Sequence, residues 1–409
     1  MQPVEISEIA GSAGRQVLLR GWLRNRRSSG GILFLELRDG TGTVQCVASK
    51  SVLGAEAFER AGKLPCESCI EIEGTAIEDP RAPGGLEVSV TALRIVRAAG
   101  ARCARRGSPG AGVPGDRRHL ELRESRQAAI LRIRAGVSRY IRDFLDAGGF
   151  VQCDAPVLRP GAGERGAGIF EIPYFGDRAF LSGGAGPYNE AAAAVLRKVY
   201  SFGPVFTARG AGASGELTES WMVEPEWAFA SLGEIMALAE DLVSEVARRC
   251  LVEQRGLLEG VMERKVGALA LAQRPFPRIE FREAAAILSN FDRPLFVHRL
   301  PAASKAFSVE EDPRNPLLSL SFELFAPGSR VAMIEGAQRA YDTDFLKRRI
   351  GERGLPEKGF GLSLDLSRCG GFPHSGFSLC LERLLAWICG AGDPGETIPF
   401  PRTASKLTP

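Results

Sequence analysis

Between residues 16 and 97, apolar positions alternate with polar ones, or run together, in short stretches at 17–25, 32–38, 43–48, 68–75 and 86–96. Gly30-Gly31 and Asp39-Gly40 separate them as hairpin turns do. One helical stretch, near 53–61, interrupts the series. Five strands and a helix in about 80 residues predict an OB-fold barrel, a shape whose open face takes oligonucleotides. The periodicity then vanishes. Residues 98–118 are rich in Gly, Ala, Arg and Pro and predict a flexible connection between a first domain, 1–97, and a second, 119–409.

From Ser125 the pattern turns helical. Ile130, Ile133, Val137, Ile141, Phe144 and Leu145 recur on one face until Gly148-Gly149. Residues 253–310 predict helices and turns inserted in a sheet, with Lys305 as a structural or surface residue. Beyond 331 the pattern predicts a strand carrying Glu335, Gln338 and Arg339, and a helix over 343–353 stopped by Gly354. A strand over 362–366, a turn over 370–376 and a strand running into a helix over 377–388 follow.

Composition changes this picture little. Of 409 residues, 44% are apolar and 25% charged, an ordinary globular balance, and a net charge of +3 does not by itself argue for nucleic acid. No apolar run approaches the about 18 residues that a membrane helix needs, so no membrane partner is expected. The first residues lack a basic-then-apolar leader, and the nine scattered cysteines fit reduced thiols. A cytoplasmic protein is therefore expected. The pair Cys66-x-x-Cys69 has no second pair at zinc spacing.

Two groups of residues suggest chemistry. In the barrel, Arg24, Arg26, Arg27 and Phe34 offer charge and a stacking ring, and Gln45 offers an amide for a base edge. The other reading puts Phe34 in the core and the arginines in solvent. At the last strand-to-helix junction Arg383 is a fixed positive fork suited to phosphate or carboxylate, or else a surface arginine on a buried helix.

GAQRAYD, PHSGFSLCLERLLAW and TIPFPR, in this order, resemble the catalytic core of the aspartyl/asparaginyl subgroup of class II aminoacyl-tRNA synthetases. GWLRNRRSSGGILFLELRDGTGTVQ resembles the anticodon-binding barrel of that subgroup, and the likeness runs over about 16–408. It implies a two-domain fold, α+β with an all-β N-terminal part, in which the barrel precedes a catalytic domain built on a mostly antiparallel sheet. It also implies ATP, magnesium, an amino-acid substrate and tRNA. A homodimer is implied too, through GFVQCDAPVLRP with Pro156. By the same resemblance Arg27, Phe34 and Gln45 read the central anticodon uridine. Glu164 holds the substrate ammonium, while Glu190, Glu224, Gln338 and Arg339 belong to the amino-acid pocket. His374 and Arg383 serve the nucleotide, with Arg383 on the γ-phosphate. Glu323 stands at the first metal acid; the second falls on Ala332, leaving Glu335 as the nearby replacement.

The chain departs from the family pattern in the second motif, TARGAGASGELTESWMVEPEWAFA. Thr207, Arg209, Gly215, Glu216 and Ser220 replace the family's arginine, glutamate, arginine, histidine and phenylalanine. A positioned cation at the α-phosphorus is worth on the order of 10²–10³ in rate. Thr207 supplies none, so Arg209 is the expected substitute, with Glu216 beside the nucleotide. Cys380 adds bulk where the family has glycine, and Asn189 replaces the lysine of aspartate enzymes, which favours the asparagine branch. The expected function is a diverged asparaginyl-tRNA synthetase-like ligase. It would activate an aspartate- or asparagine-type carboxylate through Arg383 and Arg209, for tRNA or for another acceptor such as a peptide. The alternative is a non-catalytic tRNA-binding or regulatory protein.

Overall fold

Strict alternation builds the N-terminal unit. In β2, Ile32–Arg38, the side chains of Leu33, Leu35 and Leu37 are buried while Phe34 and Glu36 lie on the other side. The computed structural model describes residues 2–100, 117–161, 163, 168–208, 216–287 and 291–408. By its own contacts the chain separates into Met1–Gly112 and Val113–Pro409. In the first unit β1 (Gln16–Ser29), β2, β3 (Thr43–Ser49), β4 (Cys69–Glu78) and β5 (Leu86–Arg97) close into a barrel of order β1-β2-β3-β5-β4. Leu19, Leu23, Leu35, Leu37, Ile70, Ile72 and Val88 fill its interior. Gly74 is needed where β4 crosses β5, because a Cβ there would stand 2.3 Å from the Ser89 carbonyl oxygen. The helix expected near 53–61 is Ala55–Lys63.

The second unit is built on one eight-stranded sheet. Its order is Arg278–Glu280, Leu295–His298, Ser321–Phe325, Ala332–Arg339, His374–Cys380, Glu219–Ala228, Lys198–Phe206 and Val151–Gln152. Neighbours are antiparallel except at the two edges, where the pairings are parallel. One face carries Phe322, Leu324, Ile334, Phe377, Leu379 and Val223, all buried in the same core as the helices Ser125–Ala147, Leu232–Glu253 and Leu381–Cys389. Glycine at 336 is required on that face, since a Cβ would meet the Phe322 ring at 2.3 Å. Ser231 and Glu234 form a capping box that starts Leu232–Glu253. The other face of the sheet bears the polar residues.

Two expectations need correction. Residues 362–366 do not form a strand; they lie in the helix Gly361–Arg368. The period-two leucines misled, because Leu364 is buried with Phe360, Leu346 and Ile350 while Leu362 is 41% exposed. The segment 253–310 is more than helices and turns, for it supplies the strands Arg278–Glu280 and Leu295–His298 at one sheet edge.

Candidate active site and nucleic-acid face

Strand register gathers the polar residues into rows on the open face. Glu323 stands opposite Glu335, and Glu335 opposite Ser378. Ser378 Oγ donates to Glu224 Oε1 at 2.8 Å, and the Ala185 N–H donates to Glu224 Oε2 at 2.8 Å. Asn189 is buried, and its amide donates to the Glu224 carbonyl at 2.7 Å and to Ser201 Oγ at 3.2 Å. It therefore ties the helix Gly186–Leu196 to the sheet. Gln338 is similarly engaged, accepting from the Leu232 N–H at 3.1 Å and donating to Glu310 at 2.8 Å.

One residue pair along the same strands lies a second group, formed by Glu190, Glu226, Arg339 and His374. The Arg339 guanidinium donates to both Glu226 oxygens at 3.4 and 3.5 Å. Glu226 is only 2% exposed. Its carboxyl is pushed above the usual range by burial, against the pull of Arg339 and His374 and with a further push from Glu190. Burial works against the charge of Arg339, but Glu226 and Glu190 outweigh it and hold the guanidinium protonated. Glycine at 376 is obligatory here, since a Cβ would stand 2.0 Å from Glu226 Oε2.

His374 defines the chemistry of this group. Its Nδ1 lies 2.7 Å from the Phe372 carbonyl oxygen, which only accepts, so Nδ1 carries the proton. In the neutral ring Nε2 is then an acceptor. It is buried without a hydrogen-bond partner and faces Glu190 at 4.0 Å and Glu226 at 3.9 Å. With the ring neutral, three acceptors converge beside one guanidinium, an arrangement that suits a neutral donor such as a carboxamide NH₂. Sequence reasoning passed over Glu226, although its spacing of two from Glu224 puts both on one face of a strand.

The opposite end of the strands lies about 20 Å from His374, six residues along at roughly 3.3 Å each. There Arg383 opens the helix Leu381–Cys389 and donates to the Ala332 carbonyl at 2.8 Å. Cys380 is buried, and burial pushes its thiol up to about 11. Glu382 is fully buried, paired with Arg134 at 2.8 Å and accepting from the Trp221 N–H at 3.0 Å, which fixes this helix start to the sheet. The strand Lys198–Phe206 ends one residue before Thr207, and Glu216 is exposed. Arg209 and Glu164 lie outside the described residues.

The donor set expected for magnesium does not fit a metal ion held by the protein. Lys305 reaches the sheet from the loop after Ala302–Ser304, with its Nζ against Glu323 Oε1 and 4.0 Å from Glu335 Oε2. A hard divalent ion takes about six oxygens, and an ammonium occupies the approach. Among the described residues no three or more His, Cys, Asp or Glu side chains converge to hold a metal.

On the barrel, Arg27, Phe34 and Gln45 stand together. Arg27 is opposite Phe34 in the β1–β2 register, and its Cζ lies 4.5 Å from the ring centroid. Arg27 Nη2 donates to Gln45 Oε1 at 3.0 Å, and Gln45 Nε2 donates to Glu87 at 3.0 Å. They border a cavity of about 250 Å³. Alternation in β2 settles the open reading of Phe34, which is outside the barrel core. Arg26 is a brace instead, donating to the carbonyls of Gly62 and Leu64 at 2.5 Å, and Arg24 pairs with Glu36 at 2.8 Å.

A closed OB barrel followed by an antiparallel sheet with a polar open face and a strand-to-helix arginine defines a class. The family described as tRNA synthetases class II (D, K and N) matches residues 113–404, and the OB-fold nucleic acid binding domain matches residues 17–96. The chain belongs to the class II tRNA synthetases. It is 42% identical over 431 residues, spanning 100% of both chains, to an asparagine–tRNA ligase of Pelotomaculum thermopropionicum. It is 40% identical to that of Thermus thermophilus, over 99% of this chain and 100% of the relative. Among solved structures, asparaginyl-tRNA synthetase from Pyrococcus horikoshii complexed with asparaginyl-adenylate superposes with a TM-score of 0.94 at 36% identity, covering 100% of both chains. No helix among the described residues is long and apolar enough to cross a membrane.

Proposed function

We propose that the protein joins asparagine to tRNA in two steps. The asparagine carboxylate attacks the α-phosphorus of ATP, a P–O bond forms, and pyrophosphate leaves. A hydroxyl of the tRNA acceptor end then attacks the activated carbonyl and releases AMP. The observation that carries this reading is the buried, partnerless Nε2 of His374 between Glu190 and Glu226. An asparagine side chain brings an NH₂ that can donate to the unpartnered Nε2 and to the carboxylates beside it, and its carbonyl oxygen suits the Arg339 guanidinium. An aspartate side chain brings only acceptors and a charge. Around it stand two carboxylates and one guanidinium, which sum to a net charge of −1. Full-length relatives that are asparagine–tRNA ligases support the same substrate and acceptor. They lend no support to a non-tRNA acceptor or a non-catalytic protein.

In this reading Arg383 offers its remaining N–H groups to the ATP phosphates at the far end of the strands. Arg27, Phe34 and Gln45 hold a flipped-out base, Phe34 by stacking and Gln45 by its amide. A barrel over 1–97 and a catalytic domain over 119–409 divide these tasks. The exposed Val151 and Leu158, on either side of Pro156, suit a homodimer contact. The test is ATP–pyrophosphate exchange on the purified full chain. Exchange that depends on asparagine and not on aspartate is expected. Equal exchange with aspartate overturns the specificity, and no exchange with either overturns the activation step.

A further inference from the structure

We propose that Lys305 is a resident cation that takes the place of a protein-held divalent ion on the sheet face. Glu323 and Glu335 stand opposite one another on adjacent antiparallel strands, where like charges repel. Two such carboxylates are the natural seat of a cation. The Lys305 ammonium fills it, against Glu323 and within 4.0 Å of Glu335, with its side chain only 14% exposed. The lysine is not a surface chain that happened to fold inward, because its backbone is clamped. Arg353 donates to the carbonyls of Lys305, Ala302 and Ala303, and Arg349 donates to Ala302 at 2.7 Å. Arg349 lies in the last turn of the helix Thr343–Glu352 and Arg353 follows as its C-cap, so the loop Ala302–Lys305 is held in place before any ligand arrives.

The arrangement agrees with the rest of this end of the site. The position implied for the second metal acid is Ala332, whose carbonyl instead accepts from Arg383. One fixed monovalent charge thus sits in the place of a divalent ion. It is covalently part of the chain and raises the net charge of the acidic pair from −2 to −1. A divalent ion would have to approach against the ammonium or displace it. Incoming phosphates would meet Lys305 and Arg383 as built-in positive groups. This inference concerns the metal seat alone, and it is tested without asparagine, so it stands or falls separately from the proposed substrate.

The experiment is a Mn²⁺ titration of the full metal-free chain, read by loss of the free-ion electron paramagnetic resonance signal. Wild type is expected to bind Mn²⁺ no tighter than millimolar. Lys305→Met, which keeps the length of the chain, should bind at least tenfold tighter, and Lys305→Met/Glu323→Gln should lose that gain. Equal binding by wild type and Lys305→Met overturns the proposal, as does a gain that survives Glu323→Gln. Should Lys305→Met fail to fold, wild type is compared with Glu323→Gln alone. Weak binding untouched by Glu323→Gln supports a resident lysine, and micromolar binding abolished by it overturns one.

Discussion

Replacing Glu226 by glutamine removes one charge from the proposed amide pocket and leaves its shape. Around the substrate side chain the net charge of Glu190, Glu226 and Arg339 rises from −1 to 0. For an aspartate carboxylate about 4 Å away, one unit charge is worth about 4 kcal/mol at an effective dielectric near 20. Water at the mouth of the site screens some of this, so about 2–4 kcal/mol is the working range. Each 1.4 kcal/mol is tenfold, which makes the expected fall in the asparagine-to-aspartate ratio of kcat/KM about 30- to 10³-fold. Arg339 loses its paired charge, but burial already disfavours the Glu226 carboxylate, and glutamine keeps an oxygen for the guanidinium with Glu190 nearby, so little change in stability is expected. The assay is ATP–pyrophosphate exchange with each amino acid, with thermal unfolding in parallel. A Glu226→Gln protein that stays folded and keeps the wild-type preference within threefold would refute the charge argument.

The raised pKa of Glu226 gives a pH dependence with a definite sign. Its carboxyl takes up a proton above the ordinary 4.5, so acidification neutralises it while exposed glutamates are still charged. The asparagine-to-aspartate ratio should therefore fall as pH is lowered from neutrality, and the fall should flatten in Glu226→Gln. For folding, a raised carboxyl pKa means that the folded state holds this proton more tightly. The contribution is present at low pH and lost as pH rises through the folded pKa. Arg383→Ala should lower the exchange rate by about 10²–10³ while asparagine binding, measured by calorimetry, changes little. Phe34→Ala should weaken binding of a tRNA with a uridine-centred anticodon by about 1–3 kcal/mol in a filter assay, with exchange unchanged. Equal tRNA affinity in wild type and Phe34→Ala would remove the barrel face from the reading.

Much of the fold was legible because its signals are local. The alternation in β2 and the turn residues around it announced the barrel, and the apolar face from Ile130 to Leu145 announced the helix Ser125–Ala147. What failed was local pattern without local cause. Leu362, Leu364 and Leu366 look like a strand, and only packing with Phe360 and Ile350 shows that one of the three is buried on a helix. The site was legible where residues share a strand. Glu335 and Arg339 are related by a period of two, and the same spacing from Glu224 marks Glu226, although that residue was passed over. It was not legible where distant segments meet. Lys305 lies 18 residues from Glu323, in a loop whose position depends on Arg349 and Arg353. The direction in which His374 presents its lone pair depends on the Phe372 carbonyl, a backbone atom that residue types do not reveal.

The departures from the family pattern are not spread evenly over the site. Thr207 follows the end of one strand, Glu216 and Ser220 flank the start of the next, and Ala332 and Cys380 lie at ends of theirs. In the proposed reading these positions lie at the nucleotide end. The proposed amide group sits farther along the same strands, with Glu226 and Gly376 inside the ladder and Arg339 opposite His374 at its other limit. Residues there are constrained twice. In the proposed reading they face substrate, and their strand neighbours pack on the helices below, so a change at Gly376 or Glu226 disturbs both. Thr207 and Glu216, which lie outside the strands, carry no such double duty. The chain keeps about 40% identity over its full length to an asparagine–tRNA ligase while these residues differ from the expected set. In the proposed reading the sheet fixes what is recognised. The strand ends and Lys305 then set how the phosphates are met, and there the chemistry of this protein must be measured rather than carried over from its fold.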